Sequence, residues 1–170
     1  MTGARRSQVL SAGLTAAALG WALLIVVAPA WAGHGAGVDR DPRATVAALV
    51  RVAGARVCHQ RPDRSFHLSG RSMPVCGRCA GLYLSGAFGL LAVAIGGRPR
   101  QAVQGGKMPS WYPDRLDPRA VSLAIAAIPT AATWLSEVAG LWNPGTPLRA
   151  LAALPLGMTA GWLMGRALER

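Results

Sequence analysis

Long uncharged, apolar stretches alternate with short charged blocks along this chain, and those stretches set the fold class. Ser7 to Gly33 carries no charged residue and has Leu23 to Val27 at its centre. A second such stretch lies between Arg78 and Arg98, and a third follows Arg119 and runs to Glu137, or to Trp142 if Glu137 is tolerated within it. The fourth lies between Arg149 and Arg166. A helix needs about 20 mostly apolar residues to cross the hydrocarbon core of a bilayer. The first two stretches meet that requirement comfortably. The last two are shorter between their charges, and each holds a proline, Pro129 and Pro155. Neighbouring helices can satisfy the backbone groups such prolines free. Gly157, Ala160, Gly161 and Gly165 would let the fourth helix approach its neighbours closely.

Between the first two stretches lies a different pattern. Asp41 and Pro42 form a helix start, a capping carboxylate followed by proline at the first helical position. Ala44 to Val57 is mostly apolar but too short to span, and is interrupted by Arg51 and Arg56. This pattern predicts a short amphipathic helix lying along the membrane interface. The segment 97–119, rich in Gly and Pro, reads as a connector. The expected fold is therefore all-α: a polytopic membrane protein of about four transmembrane helices plus a short interfacial helix. Residues 1–33 form an N-terminal transmembrane helix that also resembles a secretory signal, with Ala28-Pro-Ala-Trp-Ala32 at its end. Its apolar run is longer than a usual signal core, which favours an uncleaved helix. Residues 34–170 form a second unit with three further spans.

Composition agrees with the pattern: 52% hydrophobic, only 15% charged and 21 glycines. The formal net charge of +11 would suit a nucleic-acid partner. The arginines, however, flank apolar segments, and no nucleic-acid motif accompanies them. Headgroup contact and snorkelling account for such placement. The expected partner is the lipid bilayer and not nucleic acid, with a homo-oligomer or a membrane partner protein left open. With the N-terminus inside, the 18 Lys and Arg split evenly between the two sides. The inner ones lie close to span ends while Arg51, Arg56 and Arg61 are mid-loop, so the weighting favours cytoplasmic N- and C-termini. The expected location is the cell membrane, multi-pass, with residues 33–78 outside.

That outer segment carries the candidate chemistry. Cys58, His59, His67, Cys76 and Cys79 all fall within residues 58–79 of a chain with three cysteines. A Cys-x-x-Cys pair brings two thiolates to one ion, and Cys58 with a histidine completes a zinc-like transition-metal set. His59 is adjacent to Cys58 and cannot readily share its ion, so His67 is the alternative fourth ligand. The same thiols could close a structural disulfide, which an exported compartment permits. They could also perform thiol exchange, since Cys76 and Cys79 precede a helix whose N-terminal dipole would lower a thiol pKa.

Cys58-His59-Gln60, Arg64-Ser65-Phe66 and Pro74-x-Cys76-x-Arg78-Cys79-x-Gly81-x-Tyr83 resemble the signature of a family of small bacterial and archaeal integral membrane proteins of unknown function. The resemblance covers roughly residues 50–165 and extends to Pro129, Glu137, Arg149 and Gly157. Ala80 stands where many members carry a hydroxyl residue. The resemblance implies a membrane location and no activity.

Glu137 is the only acid in the last two apolar stretches, and an intramembrane acid is costly unless paired or hydrated. Helices three and four meet at the Asn143-Pro144-Gly145 turn, which predicts a Glu137–Arg149 ion pair on the same face as the cysteines. His34 reads as a solvated loop residue, and the tryptophans as interfacial anchors. Tyr83 fits either anchoring or donation to the cluster. No P-loop, Ser-His-Asp arrangement or carboxylate pair is present. Three functions remain: a metal-binding or disulfide-forming membrane module, a membrane thiol-disulfide oxidoreductase using Cys76 and Cys79, or a small transporter or channel subunit.

Overall fold

The computed structural model describes residues 3–32, 41–96 and 117–168. His34, Arg40, Lys107, Trp111 and most of the 97–119 connector fall outside them. In chain order the elements are α1 (Gly3–Trp31), α2 (Pro42–Ala55), a 3-10 turn (Pro62–Arg64), β1 (His67–Leu68), β2 (Arg71–Ser72), α3 (Gly77–Gly96), α4 (Pro118–Val138) and α5 (Thr146–Leu168). The expected all-α architecture is present, with one small hairpin added. Among the described residues, three helices are long and apolar enough to cross a membrane: α1 over Arg6–Trp31, α3 and α4. The fourth expected span, α5, forms a helix of 23 residues but is not among those three. Its glycines Gly157 and Gly161 face the backbone of α3.

That packing is the tightest in the molecule. At Gly81 and Gly89 on α3, and at Gly157 and Gly161 on α5, a methyl group would run into the backbone of the facing helix. Small residues let two backbones come this close, and dispersion and interhelical polar contacts then hold them. The α4 helix lies against α5, and the Thr130 hydroxyl donates to the Ala152 carbonyl at 2.8 Å, in the turn before Pro155. On α4 only Ala126 is buried, while Ile125, Ile128, Leu135 and Val138 are exposed, as on a helix facing lipid.

A cap sits over one end of this bundle. Asp41 accepts from the Arg43 N–H at 2.8 Å, with Pro42 at the first position, so α2 starts as its sequence predicts. Ala44, Ala47, Val50 and Gly54 form its buried face, while Leu49 and Val52 are exposed opposite them. The hairpin pairs His67 with Ser72 and Leu68 with Arg71. Both turn residues, Ser69 and Gly70, have positive φ, as a two-residue hairpin turn requires. Ile25 and Ala28 of α1, Ala47 and Val50 of α2, Met73, Val75 and Ala80 share one core. Trp21 meets Tyr83 edge-on, with ring centroids 5.9 Å apart. The end of α1 and the start of α3 therefore lie together.

Candidate functional site: three thiols beside an arginine cluster

The site occupies the end of the bundle where α3 and α5 begin and α4 finishes. Cys58 leaves the end of α2, its N–H donating to the Gly54 carbonyl at 2.9 Å. Gln60 then holds the chain in place. Its side-chain amide donates to the Arg51 carbonyl at 2.6 Å and to the Pro74 carbonyl at 2.8 Å, stitching α2 to the segment entering α3. Gln60 itself has φ of 50°, a left-handed conformation. Gly54 faces the Pro74 carbonyl and the Gln60 amide so closely that no side chain would fit. The Arg51 guanidinium donates to the Ser72 carbonyl at 2.9 Å, and the buried Ser65 hydroxyl donates to the Arg61 carbonyl at 2.9 Å. These bonds bring Cys58 up to the Cys76-x-x-Cys79 pair.

The sulfur atoms of Cys58, Cys76 and Cys79 all lie within 4.8 Å of one another, close enough to share one metal ion. The cysteines are free thiols, each partly buried. The Cys76 N–H donates to the Cys58 sulfur at 3.1 Å. The Cys79 thiol, opposed by burial and helped by the Cys79 N–H, holds the Cys76 thiol down to about 5. This lowering favours the thiolate form of Cys76 within the paired thiols. His59 and His67 are exposed and stand outside this group. Phe66 and Tyr83 pack against the core beneath it.

Glu137 collects three arginines. Its carboxylate is 2.8 Å from Arg78 Nη2, 3.1 Å from Arg149 Nη2 and 2.5 Å from Arg64 Nη1. Arg149 also donates to the Asn143 side-chain oxygen at 2.5 Å. The expected Glu137–Arg149 pair is present, and Arg78, inside the Cys76-x-x-Cys79 motif, places it at the thiol end of the bundle. Arg64 and Arg78 stood in the sequence as signature residues without partners. The 3-10 turn presents the first, and the first turn of α3 the second. In the sequence Asn143 reads only as a turn residue, and nothing local points to its bond with Arg149.

Residues 58–163 match the model of a family described as predicted membrane protein DUF2085. The chain belongs to this family. The chain is similar to an uncharacterized protein of Methanocaldococcus jannaschii, 31% identical over 104 residues, which cover 61% of this chain and 58% of that protein. An uncharacterized protein of Methanothermobacter thermautotrophicus is 30% identical over 103 residues, covering 60% of this chain and 78% of that one. No solved structure matches. The family assignment agrees with the three apolar helices and places the protein in a lipid bilayer. The match begins at Cys58 and takes in the cysteines, Arg64, Arg78, Glu137 and Arg149, so the whole site lies inside the family region.

Proposed function

We propose that the protein is a metal-binding membrane module in which Cys58, Cys76 and Cys79 hold one zinc-like ion at the outer membrane face. The mutual approach of the three sulfurs carries this reading. Tetrahedral zinc with sulfur at about 2.3 Å sets its sulfurs about 3.8 Å apart, which suits a trio already gathered this closely. A backbone N–H on the Cys58 sulfur and a Cys76 thiol already ionised at neutral pH also suit thiolate ligation. The fourth position is open to water or a small ligand, with exposed His59 and His67 as the protein groups nearest in sequence. Packing of Ile25 and Ala28 into the cap core supports retention of α1 as an uncleaved helix.

Metal analysis of detergent-purified protein tests the proposal: about one equivalent of zinc or a similar ion is expected, lost in Cys76→Ser. Cobalt substitution should give thiolate-to-metal charge-transfer absorption. Metal-free protein that takes up no cobalt would sink it. Labelling of intact cells with a membrane-impermeant maleimide tests the side, since reaction only after lysis would put the cluster in the cytoplasm.

A second reading rests on the ionised Cys76 beside Cys79, the arrangement of a thiol-exchange pair. A mixed disulfide trapped on Cys76 in Cys79→Ala would favour it over the metal.

A further inference from the structure

The ion cluster on Glu137 is out of balance. Arg64, Arg78 and Arg149 share one Glu137 carboxylate. Among the described residues the other acid within reach, Asp63, lies 3.7 Å from Arg64 Nε but is exposed and already paired with Arg61 at 3.1 Å. Four guanidiniums thus share two carboxylates. Counting Cys76 as a thiolate still leaves positive charge uncompensated. The excess is also enclosed, because the Arg149 side chain is only 4% exposed and that of Arg78 15%. The Nε atoms of Arg64, Arg78 and Arg149 are buried without a hydrogen-bond acceptor. Burying cations without counter-charge is expensive, and buried donors are normally satisfied. The N-termini of α3 and α5 open at the same end and add to the positive potential. Arg64, at 33% exposure, forms the open side.

We infer that Arg64, Arg78 and Arg149 form a binding site for a phosphate-class oxyanion, with Glu137 holding the three guanidiniums in place. Guanidinium forks match the paired oxygens of a phosphate, and three converging ones leave few other ligands that would satisfy them. The oxyanion can be the phosphodiester of a lipid headgroup or free phosphate, since the site meets the end of a membrane bundle. The site is independent of whether the thiols hold metal.

The test is calorimetric titration of the full chain, delipidated in a maltoside detergent. One arm uses inorganic phosphate, the other a short-chain phosphatidylglycerol, with chloride at matched ionic strength as control. Saturable binding is expected in at least one arm, and the arm that responds identifies the source. Arg78→Gln should weaken it at least about tenfold, since a charge-assisted hydrogen bond is lost. Glu137→Gln keeps a side-chain oxygen that can hold the guanidiniums but removes its negative charge, so binding should strengthen, an outcome that a purely structural ion network would not produce. Arg64→Gln lies at the exposed edge and decides the matter alone if the buried variants do not fold: unchanged binding there overturns the proposal. So does the absence of saturable heat in both arms.

Discussion

Arg78 Nη2 lies 2.8 Å from Glu137 Oε2, joining the first turn of α3 to the last turn of α4 across 59 positions of sequence. One arginine thereby ties the two halves of the site, because its neighbours Cys76 and Cys79 are the thiols and its partner carboxylate gathers Arg64 and Arg149. Disturbing either half should be felt in the other.

Glu137→Ala removes the carboxylate and leaves three guanidiniums facing each other. Breaking a buried ion pair from one side costs about 3–5 kcal/mol, and Glu137 is only 8% exposed. Thermal unfolding in detergent should show a much lower midpoint for Glu137→Ala than for Asp63→Ala, whose carboxylate is exposed. Equal midpoints would mean that the cluster is not a structural tie.

Gly161→Ala should separate α3 from α5, since the added methyl would meet the Gly86 carbonyl. Overpacking of this kind costs about 1–3 kcal/mol. Gly20→Ala, on an open face of α1, has nothing within 4 Å and should be neutral or stabilise by up to about 1 kcal/mol. A melting comparison of the two variants reads the difference directly: the midpoint should fall for Gly161→Ala and should not fall for Gly20→Ala.

Alkylation of the metal-free protein with iodoacetamide reports the Cys76 thiolate. Its pKa is lowered to about 5, so the thiolate persists through neutral pH and is protonated only as pH falls through that value. The fast phase should therefore be level above about pH 6, fall away below pH 5, and vanish in Cys76→Ser. A fast phase that instead rises towards pH 9 would contradict the ionised state.

Gln60→Ala removes two amide hydrogen bonds between α2 and the entry to α3. The Arg51 and Pro74 carbonyls lose a donor, at a cost of about 1–3 kcal/mol where they are buried. Cys58 is also released from its register against Cys76, so metal affinity should drop more than for His67→Ala. Competition with a chromogenic chelator measures both.

Much of the fold was legible because its causes are local. The helix start at Asp41-Pro42 shows in two adjacent residues, and the spans show in runs of apolar side chains that lipid requires of any crossing segment. The Glu137–Arg149 pair was legible too, since a short turn joins the helices that carry it. The Ser69-Gly70 dipeptide suits a turn, but the strands flanking it are two residues each, too short to show an alternating pattern. The packing role of the α5 glycines was legible in the same way, and Gly157 and Gly161 lie against the backbone of α3.

The thiol cluster divides along the same line. Cys58, Cys76 and Cys79 could be singled out from sequence alone, because cysteines are scarce and the Cys-x-x-Cys spacing is short enough to act locally. Which groups join them depends on the path of the chain between. The Gln60 latch and the α2 packing set that path, bringing Cys58 to the pair and leaving His59 and His67 exposed. The other two arginines on Glu137, Arg64 and Arg78, are decided by tertiary structure alone. Long flexible side chains from a loop and from a helix remote in sequence reach one carboxylate, and no spacing along the chain encodes where such chains will end.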